Sequence, residues 1–245
     1  MIVTYADFGV QGPYLGQMRA AVHAVWPEAT VVDLMSDVPA FDIKAAAHLL
    51  PAVIRSIAAP CVCLGVVDPG VGSDRRAVAL LADDRWYAGP DNGLFSIVAS
   101  RAEKKQWYEI TWRPTQLSAS FHGRDLFAPV AAKIAMGVAP DIWGAEIPAD
   151  NVVTLGEPDE LCEVIYIDGY GNCITGIRAS ALSEGQVIDW AGQSLTRART
   201  FSDVSPGSAF CYENSLGLME IALRGGNAAL SLSLKIGSQV SVRNL

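Results

Sequence analysis

Two carboxylates stand where apolar runs stop. Asp7 follows the run Ile2–Ala6, and Asp68 follows "CVCLGVV" at 61–67. In an open α/β sheet, ligands bind beyond the carboxyl ends of the strands, so both acids are placed to meet one. A carboxylate at a strand tip can accept two hydrogen bonds from a vicinal diol, as in a ribose. Gly9 and Gly12, in "ADFGVQGPYLG", would let a ligand approach the backbone. Asp7 taken alone reads equally well as the cap of a helix starting near Pro13. Asp68 opens "DPGVGSDRR". If that tight loop folds back, the Arg75 guanidinium can pair with Asp68 as a fork. The competing reading is a surface turn with a solvated arginine.

His122 is the single histidine in a loop just before a helical pattern, in "SASFHGRDLFAPVAA". Histidine can take or orient a proton near neutral pH. His23 and His48 lie inside Ala-rich helical stretches, where packing or solvent explains them. Further on, "IDGYGNCITGI" places Asp168 at a strand end before a glycine turn and Asn172, a pattern that also suits a plain hairpin. "YENSLGLMEIALRGGNAA" is a second polar loop that runs into a strand.

The elements that must position these residues follow from periodicity. Residues 14–26 have helical spacing, 30–34 read as a strand, and Asp42 can cap a helix through 59 with a kink at Pro51. Strands are expected at 61–67, 77–82 and 106–110. A turn is expected at 89–93 before a short helix, and a further helix at 124–136. Strands separated by helices predict a largely parallel sheet covered on both faces. Residues 138–160 are rich in Pro, Asp and Glu and read as a linker. Short strands at about ten-residue spacing follow, which predicts a small all-β unit, a β-barrel or a sandwich. The expected domains are 1–150, α/β, and 151–245, β.

Composition narrows the function. The 245 residues are 51% hydrophobic and 18% charged, enough to bury a sizeable core. The net charge is -8, with no basic face to meet a nucleic acid. The five cysteines form no zinc spacing and no disulfide framework, which suits free thiols in a reducing compartment. No stretch reaches membrane-spanning length, and the start carries no signal-peptide pattern, so the expected location is the cytoplasm. The glycines at 9, 12 and 16 do not match the dinucleotide fingerprint, and no phosphate-binding P-loop occurs.

Six segments together resemble the S-adenosyl-L-methionine (SAM) hydrolase family, also called SAM hydroxide adenosyltransferases, related to fluorinases and chlorinases. They are "ADFGVQGPYLGQMRA", "VVDPGVGSDRRAV", "GPDNGLFS", "SFHGRDLFAPVAA", "IDGYGNCITGI" and "NSLGLMEIAL…GNAA", in the family's order from residue 6 to 229. The resemblance implies an α/β domain followed by a β-barrel. It implies a homotrimer whose sites lie between one subunit's first domain and its neighbour's second. It implies hydrolysis of SAM to adenosine and methionine, with SAM as substrate, no cofactor and no metal. The catalytic residues would be Asp68, Arg75 and His122, which hold a water or hydroxide in line with the C5′–S bond. Either Asp68 or His122 would take the proton, or all three would act as one unit. The substrate-binding residues would be Asp7, Phe8, Gly9, Phe41, Asp168, Asn172, Ser215, Glu220 and Asn227. Asp7 would hold the ribose, Phe41 would cover the nucleoside, and Asp168, Asn172 and Ser215 would meet the methionine end. Two departures from the family pattern are Gly12, where many relatives carry an acid, and "YAD" in place of "TD". Competing expectations are a SAM-dependent halogenase on the same fold and a non-catalytic SAM or adenosine sensor. A negative Asp68 beside a halide disfavours the first.

Overall fold

A computed structural model describes residues 1–244. The chain divides into two compact units, Met1–Gly156 and Glu157 onward.

In chain order the first unit contains β1 (Ile2–Ala6), α1 (Tyr14–Val25), β2 (Val31–Met35), α2 (Ile43–Ile54) and β3 (Cys61–Val66). It continues with β4 (Ala77–Ala82), β5 (Arg85–Pro90), α3 (Ser96–Arg101), β6 (Lys105–Ile110), α4 (Ala128–Ala135) and β7 (Gly144–Ile147). Seven strands form one sheet in the order β2-β1-β3-β5-β4-β6-β7. The β2, β1, β3 and β5 strands run parallel, while the β5-β4-β6-β7 pairings are antiparallel. The sheet is therefore mixed, not largely parallel as the periodicity suggests. The cause is β5, most of which lies between the expected strand at 77–82 and the expected turn at 89–93, where periodicity predicts no element. The chain leaves β4 at Ala82 and re-enters β5 at Arg85 through the two residues Asp83 and Asp84, with Asp83 at φ 51°. Such a tight reversal forces an antiparallel neighbour.

β1 and β3 are buried along their whole length, which is why they read as unbroken apolar runs. On one face, Met18 and Val22 of α1 and Val130 and Ile134 of α4 pack against Ile2, Val62 and Leu64. On the other, Leu50 and Ile54 of α2 and Val98 of α3 pack against Val3, Tyr5 and Cys63. The Asp42 carboxylate caps α2 by accepting from the Ala45 N–H at 2.9 Å. The helix continues through Pro51 but ends at Ile54, short of residue 59. Before α4, Gly123–Phe127 form one π-helical turn. The stretch read as a linker contains β7, the edge strand paired with β6.

The second unit contains β8 (Leu161–Ile167), β9 (Cys173–Arg178), β10 (Gln186–Trp190), β11 (Gln193–Ser194) and β12 (Thr196–Arg197). β13 (Ala209–Glu213), β14 (Leu218–Leu223), α5 (Ala228–Ser231) and β15 (Ser241–Asn244) follow. Its strands form two sheets, β12-β13-β14-β9-β8 and β11-β10-β15, so the all-β reading holds while one closed barrel is not what the pairings give. A lone bridge between Glu163 and Gln239 adds to the pairing. Val164, Ile177, Val187, Cys211 and Ile221 form the shared core.

Candidate active site

β1 and β3 are hydrogen-bonded neighbours, with Ala6 opposite Val66. Because they are parallel, the residues that follow them emerge at one edge of the sheet. Asp7 and Asp68 therefore face one depression of about 360 Å³, which Phe8, Tyr14, Phe41, Phe121 and His122 also line.

The loop after β3 supplies the charged centre. Val71 and Ser73 N–H groups close it onto the Asp68 and Gly70 carbonyls at 3.2 and 3.1 Å. Gly72, at φ 83°, lies so close to the next loop that a Cβ there would sit 2.5 Å from the Ala119 carbonyl oxygen. The chain then returns Arg75 to Asp68. Arg75 Nε donates to Asp68 Oδ1 at 2.8 Å, and Nη2 donates to Oδ2. Nη1 donates to the Arg76 carbonyl at 3.0 Å, and the guanidinium lies 5.2 Å over the Phe127 ring. The two side chains are only 10% and 4% exposed, so this is a fork-to-fork pair held largely out of water. The second arginine of the motif turns away. Arg76 pairs with Asp91 at 2.9 Å, and Asp91 also accepts from the Val153 N–H at 2.8 Å. Asn92 donates to the Val67 carbonyl at 2.8 Å. "GPDNG" thus fixes the strand end that carries Asp68.

His122 immediately precedes the π-helical turn. The same turn sets Phe127 under Arg75. His122 Nδ1 lies 3.1 Å from Arg75 Nη2. A guanidinium can only donate, so Nδ1 accepts and the neutral ring carries its proton on Nε2. Burial pushes the His122 pKa down, and the Arg75 charge adds to this while Asp68 opposes it. The imidazole is therefore held neutral, with Nε2–H left to donate.

Asp7 accepts from the Phe41 N–H at 3.0 Å. Phe41 is at φ 61° and 75% exposed, so a strained backbone presents an aromatic ring at the mouth. Burial pushes the Asp7 carboxyl up. The N–H groups of Phe41 and of Asp7 itself pull it back, and the Asp68 charge adds to the rise. Gly9, at φ 75°, donates to the Ser36 carbonyl at 2.6 Å and shapes the adjoining loop. Motif reading does not single out Tyr14 and Phe121. With Phe8 they form a three-ring cluster at 5.5–5.7 Å between centroids. A usable signal was Phe121 standing directly before His122.

A second depression, of about 1060 Å³, lies wholly within the second unit, and Asp168, Asn172, Ser215, Glu220 and Asn227 all line it. Asp168 Oδ1 accepts from the Tyr170 and Asn172 N–H groups, both at 2.9 Å, and Oδ2 accepts from Asn172 Nδ2 at 3.0 Å. Asp168 thus closes the hairpin turn and faces the cavity at once. The Asn227 side chain caps α5 at Leu230 N–H, 2.8 Å away, and packs where any Cβ on Gly171 would clash. Glu220 is buried. It accepts from the Tyr212 hydroxyl at 2.5 Å and Asn214 Nδ2 at 2.9 Å. Motif reading does not single out Tyr212, Phe201 or Asn214: Tyr212 lies in β13 and reads as core, Phe201 opens a short 3-10 turn in an irregular stretch, and Asn214 is one polar residue of a polar loop. His48 is buried in α2 against the Lys44 carbonyl, away from both depressions. Among the described residues no group of three His, Cys, Asp or Glu side chains is placed to hold a metal ion. No described helix is long and apolar enough to cross a membrane.

Comparison with known proteins identifies relatives of the whole chain. A curated (R)-S-adenosyl-L-methionine hydrolase of Thermus thermophilus is 36% identical over 96% of both chains. A fluorinase of Nocardia brasiliensis is 24% identical over 99% of this chain and 96% of its own. A crystal structure of an uncharacterised conserved protein from Thermotoga maritima superposes with a TM-score of 0.89 at 28% identity, covering 99% of both chains. Residues 2–144 match the SAM hydroxide adenosyltransferase N-terminal domain and residues 162–241 match its C-terminal domain, so the chain belongs to the SAM hydroxide adenosyltransferase family.

Proposed function

We propose that the protein hydrolyses SAM to adenosine and methionine, by attack of water or hydroxide at C5′. The observation that carries this is the buried Asp68–Arg75 fork in hydrogen-bond contact with His122. A sulfonium is already a good leaving group, so the difficulty lies with the nucleophile. Bulk water has a pKa of about 15.7, and it gains most from being held in line with the bond to be broken. In this reading water donates to Asp68, whose oxygens keep acceptor capacity beyond the two Arg75 bonds. His122 Nε2–H donates to the water oxygen and stabilises developing hydroxide. Arg75 orients both partners. The new O–C5′ bond forms as C5′–S breaks, the electron pair stays on sulfur as a neutral thioether, and one proton leaves to solvent.

Asp7 fits the ribose hydroxyls, with Phe8, Gly9 and Phe41 around the nucleoside. Asp168, Asn172, Ser215, Glu220 and Asn227 fit the remainder of the substrate. The family resemblance suggests a homotrimer in which neighbouring copies combine the two depressions. The relative's name suggests the (R) sulfonium epimer. A halogenase is disfavoured, because Asp68 would face a halide with negative charge at short range.

The test is turnover of each SAM epimer in ¹⁸O-labelled water. Adenosine labelled at the 5′-hydroxyl, in equal amount with methionine and faster from the (R) epimer, is expected. Unlabelled adenosine, or binding without product, overturns the reading.

A further inference from the structure

The cavity of the second unit has an uneven charge. Its described lining contains two carboxylates, Asp168 and Glu220, and no Lys, Arg or His. The neighbouring cation, Arg224, is committed to the Val204 carbonyl. Both acids are fixed by neutral donors alone: Asp168 by its own turn and Asn172, Glu220 by Tyr212 and Asn214. Those bonds leave acceptor positions on Asp168 Oδ2 and on both Glu220 oxygens, since a carboxylate accepts about four hydrogen bonds. Burial pushes the Glu220 carboxyl up and the Asp168 charge adds to this, so the pair lacks a compensating cation.

The amino-acid end of SAM brings an ammonium and a carboxylate. The ammonium relieves both acids, whereas the carboxylate meets two like charges and no cation. We propose that this site recognises the substrate by its ammonium and not by its carboxylate, and that the enzyme also hydrolyses adenosyl sulfonium compounds lacking the α-carboxylate. This rests on the proposed function. The chemistry is unchanged: water oxygen bonds C5′, the C5′–S pair goes to sulfur, and adenosine, a neutral aminoalkyl thioether and one proton result.

Three substrates test it on the intact protein: SAM, its decarboxylated analogue with a primary amine, and its deaminated 2-oxo acid analogue, each followed by adenosine release. We expect kcat/KM for the decarboxylated analogue within about tenfold of SAM, and for the oxo acid at least about a hundredfold lower, as loss of a buried charge partner predicts. If SAM is turned over but the decarboxylated analogue falls a hundredfold, or the oxo acid does not, the inference fails alone. If SAM itself gives no adenosine, the parent reading fails. In Glu220→Gln, which keeps the shape, the preference for SAM over the oxo acid should shrink at least about tenfold through KM with kcat held. An unchanged preference assigns Glu220 a purely structural role and overturns its part.

Discussion

Asp68 in the first unit and Glu220 in the second are both buried acids beside a cavity, yet their charges are met in different ways. Asp68 is matched by a guanidinium in a two-bond fork, and that guanidinium also reaches His122. Glu220 meets a phenol and an amide, with Asp168 in the same wall. One centre is neutralised before anything binds, which suits the positioning of a small neutral reactant. The other keeps its charge for a cation that the substrate brings. Changes in the first should therefore fall on kcat, and changes in the second on KM.

The largest expected effect is that of Asp68→Asn. It removes an acceptor charge and leaves Arg75 buried against a neutral amide. We expect kcat to fall about a thousandfold with KM nearly unchanged, measured by adenosine release. Loss through KM with kcat intact would erase the contrast. Gly72→Ala comes next. Its Cβ would meet the Ala119 carbonyl at 2.5 Å from a backbone at φ 83°. The two loops that carry Arg75 and His122 would have to part, costing about 1–3 kcal/mol of stability and about a hundredfold in kcat. Thermal melting and rate together check this. An unchanged kcat in a destabilised variant would show that the loop contact is only structural.

How much of this was legible in the sequence differs between the two regions in the same way. Asp7 and Asp68 could be placed because buried parallel strands read as apolar runs whose ends are visible. The fork to Arg75 was conceivable from a seven-residue return but needed folding to be decided. β5 is hidden because it follows β4 after only Asp83 and Asp84, with no Gly or Pro to mark the reversal, and runs into the Gly-Pro of a turn pattern, so the mixed character of the sheet is hidden with it. In the second unit the strand positions were readable, from alternation. Their division into two sheets was not, since it depends on pairings between distant residues, such as β10 with β15. Tyr212, in β13, is hidden for a related reason. A pocket aromatic and a core aromatic have the same local pattern, and only the fold shows which face is open.

Acid sharpens the comparison further. His122 is held neutral, so protonation at Nδ1 would break its contact with Arg75 and set two cations together. Its lowered pKa means that kcat stays level as pH falls past the ordinary histidine value and then drops, about tenfold per unit, below the lowered one. A kcat limb at or above the ordinary histidine value would contradict the neutral, donating imidazole.

The smallest effect belongs to Tyr212→Phe. It deletes the hydroxyl that donates to Glu220 at 2.5 Å and leaves Asn214 as the remaining donor. That hydroxyl offsets the burial that pushes the Glu220 carboxyl up, so its loss pushes the carboxyl higher still. A carboxyl with a raised pKa loses its charge, as pH falls, earlier than an ordinary one. KM in the wild type should therefore rise at a pH above the ordinary carboxylate range, and in the variant at a pH higher again. At neutral pH the loosened Glu220 should raise KM about fivefold, equivalent to about 1 kcal/mol, the net worth of a typical intramolecular hydrogen bond, with kcat unmoved. Initial rates across pH for the two proteins decide it. A shift in the kcat limb instead of the KM limb would mean that the second cavity takes part in the chemical step, and the division between a prepaired centre and a waiting one would be lost.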